Sequence, residues 1–186
     1  MNSKPDMPRL FTALTIPPLS PLRRIANALQ QADSRLRMEP INRWHITLNF
    51  LGTVEETQIP QLVGLLREVT PQSEPLSVSL KGLGVFPDLQ RPRVVWAGTR
   101  GDDGLLALHQ RLRQAVRSAG LLDADEFRPH LTLARVRHTT TAEVLELLRS
   151  HAETEFGNVP VREVVLYESR LHPPGQPYHE IGRAHV

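Results

Sequence analysis

Apolar positions along the chain switch between two periods, and the switches mark out its elements. A run over residues 10–16 reads as a strand, and Ile25 and Leu29 then share one face of a helix that Ser20 caps and Pro21 begins. A strand over about 43–51 follows. Thr53 and Glu56 stand at capping-box spacing ahead of Ile59, Leu62, Val63 and Leu66, which predicts a second helix, with a further strand over 76–86. The same order then returns. A strand over 93–99 leads to a helix opened by Asp102 and Asp103, with Leu105, Leu108, Leu112 and Val116 at helical spacing and Gly120 as its stop. Next come a strand over 130–136, a helix opened by Thr140 and Glu143, a strand over 161–171 and a last strand over 178–183. Pro17-Pro18 and Pro173-Pro174 read as turns and strand edges.

That recurrence has a sequence marker. His45-Ile46-Thr47-Leu48 comes back as His130-Leu131-Thr132-Leu133, an offset of 85 in a chain of 186 residues. Two copies, each too small for a comfortable core, are expected to pack as two lobes about an approximate two-fold axis. Residues 1–186 would then be one two-lobed domain, with repeat 1 over about 9–91 and repeat 2 over about 92–184.

Strand alternation places His45 and Thr47 on one face and Trp44, Ile46 and Leu48 on the other, and it does the same for His130 and Thr132 against Leu131 and Leu133. A two-fold would turn both polar faces toward one cleft. Two imidazoles and two hydroxyls suit phosphate-ester chemistry. With an ordinary pKa of about 6.5, one imidazole can take a proton while its partner gives one. The threonines can donate hydrogen bonds to non-bridging phosphate oxygens, where charge is held in the transition state. One such motif is weak; two at matching places in a repeat are far more specific than chance or a structural remnant of duplication.

Composition removes several alternatives. The chain has no cysteine, hence no disulfide, thiolate nucleophile or cysteine-held metal. No His-Glu-x-x-His, Gly-x-Ser-x-Gly or Walker A signature is present, and neither Lys4 nor Lys81, its two lysines, sits in a context suited to nucleotidyl transfer. No metal and no cofactor are expected. The other histidines, 109, 138, 151, 172, 179 and 185, show no paired spacing, and His109 and His151 read as surface positions of helices. Arginine makes up nearly all of the 22 basic residues, either as a genome's bias or as a phosphate-matched fork. The net charge of +2 gives the first reading the greater weight. With no long apolar stretch and no secretory start, a cytoplasmic monomer away from membranes is expected.

With Trp44-His45-Ile46-Thr47-Leu48-Asn49-Phe50-Leu51-Gly52 and Phe127-Arg128-Pro129-His130-Leu131-Thr132-Leu133-Ala134-Arg135, the chain resembles the 2H phosphoesterase superfamily over nearly its whole length. Within it, the likeness is to bacterial and archaeal RNA 2′,3′-cyclic phosphodiesterases, historically called 2′-5′ RNA ligases. The resemblance implies an α+β fold of mainly antiparallel sheets lining a central cleft, with helices outside. It also implies hydrolysis of 2′,3′-cyclic phosphates on RNA ends or small cyclic nucleotides to 2′-phosphates, with an ATP-independent reverse joining. Carried over, His45 is the proton donor to the departing 3′ oxygen and His130 the base acting on water. Thr47, Thr132 and Arg135 hold the phosphate, and Phe50 stacks on a base. An offset of five puts Phe50 and Arg135 on the face away from their histidines unless the strand ends or bulges in between. Arg43 and Arg128 are further candidates for the cleft mouth, with solvated surface the default. Two rivals stand beside this reading: a nucleotide-binding module without turnover, and the same chemistry on another cyclic or 2′-5′ nucleotide ester.

Overall fold

The structure, a computed structural model, describes residues 7–72, 76–100, 103–121, 127–170 and 178–186. In chain order its elements are β1 (Arg9–Thr15), α1 (Ser20–Ala32), β2 (Arg37–Met38), β3 (His45–Thr53), α2 (Ile59–Val69) and β4 (Leu76–Phe86). They continue with β5 (Val94–Thr99), α3 (Asp103–Ser118), β6 (His130–Arg135), α4 (Ala142–Ser150), β7 (Glu155–Val161), β8 (Glu163–Ser169) and β9 (Tyr178–His185). The expected openers Asp102 and Pro173-Pro174 lie outside the described residues.

All the described strands join one antiparallel sheet in the order β7-β4-β5-β6-β3-β1-β8-β9, with β2 alongside β6. Its centre is a palindrome. β4-β5-β6 on one side answers β8-β1-β3 on the other, and the halves meet where Ile46 pairs with Leu131, the only register pair between β3 and β6 among the described residues. Those two residues are themselves 85 apart, so the pseudo-two-fold axis passes through their pairing. Each half of the sheet draws on both repeats: β4, from repeat 1, flanks β5, and β8, from repeat 2, flanks β1.

Ile46, Leu131 and Leu133 are fully buried, as are Leu105, Leu108 and Leu112 of α3 within the same core cluster. Burial of each such side chain contributes about 1.5–3 kcal/mol. Among the described residues no helix is long and apolar enough to cross a membrane.

Several helix starts differ from expectation. Leu19, not Ser20, is the N-cap of α1 and makes no side-chain cap; Pro21 does sit in the first turn, where its missing N–H costs nothing. The capping box ahead of α2 is formed by Glu55 and Gln58 around a short 3₁₀ turn, because β3 runs on to Thr53 and uses that residue up. Thr141, one residue past Thr140, caps α4 by accepting the Val144 N–H at 3.3 Å. The expected strand over 161–171 is β8, which runs from Glu163 to Ser169, and β7, which ends at Val161, was not expected. Gly157, Asn158 and Pro160 hid β7 from a propensity reading, and an edge position is where a sheet accepts such residues.

Candidate active site

β3 and β6 depart from strict pairing at equivalent places, and β3 departs once more at Leu51, left extra between the Leu10–Gly52 and Phe11–Phe50 pairs. Opposite β1, Thr12 pairs with Asn49 but Ala13 with Thr47, which leaves Leu48 as an extra residue. Opposite β5, Val95 pairs with Ala134 but Trp96 with Thr132, which leaves Leu133 extra. Each of the two equivalent bulges buries two consecutive side chains, Leu48-Asn49 and Leu133-Ala134, and shifts the parity of the residues after it. Phe50 and Arg135 therefore share the face of their histidines, and the odd offset of five is accounted for.

All six candidate residues line one cleft of about 500 Å³: His45, Thr47 and Phe50 from β3, and His130, Thr132 and Arg135 from β6. The sheet supplies the rest of the wall, including Arg9 and Phe11 of β1, Ser169 of β8 and Tyr178 of β9, while Glu39 comes directly after β2. Phe50 is an exposed aromatic, 52% accessible, at the rim.

The two imidazoles are held alike. His45 Nδ1 lies 2.7 Å from the carbonyl oxygen of Arg43, and His130 Nδ1 lies 2.7 Å from that of Arg128. A carbonyl can only accept, so each Nδ1 carries the proton and donates it, which leaves Nε2 as the ring nitrogen that can exchange one. Arg43 and Arg128 thus each contribute a backbone carbonyl to holding a histidine, and neither is among the residues that line the cleft. Aromatic rings brace both histidines: Tyr178 meets His45 edge-on at 5.1 Å, with Phe11 at 5.4 Å, and Phe86 meets His130 edge-on at 4.9 Å. Burial, which penalises a charged ring, pulls His45 below the usual imidazole range; the Arg43 hydrogen bond opposes this, and His130 and Arg135 add to it. His130 is lowered for the same leading reason, with Arg135 adding to it.

Three features were not read from the sequence. Phe11, Tyr178 and Glu39 come from other segments and carry no motif of their own. The Glu39 carboxyl is raised by burial against the pull of Arg135, Arg43 and Arg37, and its Oε1 has no hydrogen-bond partner among the described residues. His109 is a correction: it is 3% exposed inside the core, not on the surface. It falls on the stripe of Leu105, Leu108 and Leu112, four residues past the first, and that spacing was the available signal. His151 ends α4 half-buried, with Nδ1 3.0 Å from the Leu147 carbonyl oxygen.

A duplicated antiparallel α+β sheet with paired His-x-Thr strands in one cleft is the architecture of a 2H-type phosphoesterase. The family profile of the 2′-5′ RNA ligase superfamily matches residues 17–173, and the chain belongs to that superfamily. It is 35% identical over 144 residues to an RNA 2′,3′-cyclic phosphodiesterase of Aquifex aeolicus, covering 76% of each chain. It is 33% identical over 175 residues to one of Archaeoglobus fulgidus, covering 93% of this chain and 97% of the relative. Among solved structures, a Thermus thermophilus protein superposes with a TM-score of 0.74 at 26% identity, over 96% of this chain and 97% of its own. E. coli LigT, solved with 3′-AMP, shares the fold with a TM-score of 0.70 at 23% identity, over 97% and 99%.

Proposed function

We propose that this protein is an RNA 2′,3′-cyclic phosphodiesterase that opens the cyclic phosphate to a 2′-phosphate, with His45 and His130 as its acid/base pair. The observation that carries this reading is the matched placement of the two rings in one cleft, each with Nδ1 tied to a carbonyl and Nε2 left for proton exchange. Family membership and the names of the relatives support the substrate class.

In the proposed step, water attacks phosphorus while His130 Nε2 accepts its proton, and a P–O bond forms. The bond from phosphorus to the 3′ oxygen breaks on the opposite side, and His45 gives that oxygen a proton, so it does not leave as an alkoxide. Thr47, Thr132 and Arg135 hold the non-bridging oxygens as charge gathers there. Phe50 offers its face to the terminal base, a contact worth about 1–3 kcal/mol in nucleic-acid binders. With a 5′ hydroxyl in place of water as the attacking group, the same step joins two strands through a 2′-5′ bond without ATP, because the strained ring stores the driving force.

The test is to incubate the protein, in EDTA, with an RNA ending in a 2′,3′-cyclic phosphate and follow the product by phosphorus NMR. A 2′-monophosphate is expected, and His45→Ala and His130→Ala are each expected to lose about 10²-fold or more in rate while remaining folded. A 3′-monophosphate would reverse the assigned leaving group, and near-normal turnover in either variant would end the acid/base assignment.

A further inference from the structure

A bulge turns a carbonyl out of the strand ladder, and that carbonyl needs another donor wherever it is buried. In β6 the Leu133 carbonyl accepts the backbone N–H of Glu39 at 2.8 Å, just past β2. In β3 the equivalent carbonyl, that of Leu48, is met by a side chain from α3: His109 Nδ1 lies 2.9 Å from it. The Asn49 side-chain amide also reaches this ring nitrogen, at 3.1 Å, and because a protonated Nδ1 has no lone pair for an N–H the amide presents its oxygen there; the Asn49 backbone N–H donates to Thr12 Oγ1 at 3.2 Å. The imidazole lies flat on Phe127, with centroids 4.0 Å apart and planes 4° from parallel. Its plane is therefore set by the residue that leads into the second motif, while its donor is aimed at the bulge of the first.

We infer that His109 is a positioning residue for substrate recognition: by satisfying the Leu48 carbonyl it holds the β3 bulge that presents Phe50 to the base. With strict alternation restored, Phe50 would face the core and Asn49 the cleft. His109 does not line the cleft, so its effect on catalysis runs through Phe50 and through binding. This inference rests on the proposed stacking role of Phe50.

The informative variant is His109→Phe, which keeps a ring against Phe127 and removes the ring nitrogens, with their contacts to the Leu48 carbonyl and the Asn49 amide. For a 2′,3′-cyclic mononucleotide, KM is expected to rise about tenfold, the size of one lost base stack, with kcat within about twofold of the parent. In a Phe50→Ala background the same substitution is expected to change KM by less than about twofold, because the group it acts through is gone. His109→Asn, whose amide can reach the carbonyl from nearly the place of Nδ1, is expected to recover most of the loss. An equal KM change in both backgrounds, or a fall in kcat at unchanged KM, would overturn the inference. If Phe50→Ala alone leaves KM unmoved, the stacking role fails by itself, and a crystal structure of His109→Phe then decides the rest. Loss of the two-for-one register at Leu48 is expected there, and an intact bulge with Phe50 still at the cleft overturns the inference.

Discussion

The proposed acid His45, which acts charged, and the proposed base His130, which acts neutral, both sit in surroundings that lower their pKa. Above the ordinary imidazole pKa of about 6.5, the proposed base His130 is already in its working form, while charged His45 is scarce. The expected kcat/KM profile, which reports the free enzyme, therefore falls as pH rises above about 6.5. A bound phosphate anion beside His45 favours its charged ring, so the alkaline limb of kcat is expected at higher pH than that of kcat/KM. Initial rates across roughly pH 4.5–9 check both limbs, and a kcat/KM limb rising through neutrality would contradict the roles. Linkage has a matching sign. A lowered folded pKa means that the unfolded chain binds protons first, so the share of stability held by these rings is complete above about 6.5 and is lost as pH falls toward the folded values. The His and Thr positions were legible because chemistry-bearing residues recurred at a fixed offset. Phe11, Tyr178 and Glu39 were not, since only the sheet's crossing order brings β1, β9 and the end of β2 to the cleft.

At the scale of elements, period and capping signals located helices well and their first residues poorly. Ser20 and Thr141 show why. Both are residues that favour caps, but only Thr141 has extended backbone and a hydroxyl aimed at the N–H three residues on, whereas Ser20 is already helical behind Leu19. Thr141→Ala is expected to destabilise the protein by about 1 kcal/mol in urea unfolding, with Ser20→Ala within about 0.5 kcal/mol of no effect. Equal costs would mean that the cap at Thr141 is not formed. The paired bulges were the least legible elements, because alternation predicts the wrong face for Phe50 and Arg135 and no Gly marks either place. In β3 the reason for the bulge lies far along the chain, in a helix donor that satisfies the displaced carbonyl.

For the whole molecule, the duplication was visible in sequence but the exchange of outer strands was not, because a repeat offset says nothing about which neighbour a strand chooses. β4 leaves the half that holds β1 and β3 to flank β5, and β8 makes the reverse crossing. We propose that residues 1–186 unfold as one cooperative unit for this reason. The two tryptophans lie one on each side: Trp44 leads into β3 and Trp96 is in β5. Trp44→Phe and Trp96→Phe, each leaving a single reporter, are expected to show fluorescence midpoints in urea that agree with their own circular dichroism midpoints to within about 0.2 M. A reporter that melts apart from the backbone signal would mean that the halves let go separately.

Among the described residues the junction at Ile46 and Leu131 is one register pair long. Longer zipping between those two strands would draw the sheet flat across its middle and bring the facing imidazoles and hydroxyls together with nothing between them. The cleft lined from both strands lies at this short seam, and the proposed cyclic phosphate with its ribose is the occupant that the space between them fits. Where most sheets gain by adding rungs, this one gains its purpose from the rungs it omits at its own centre of symmetry.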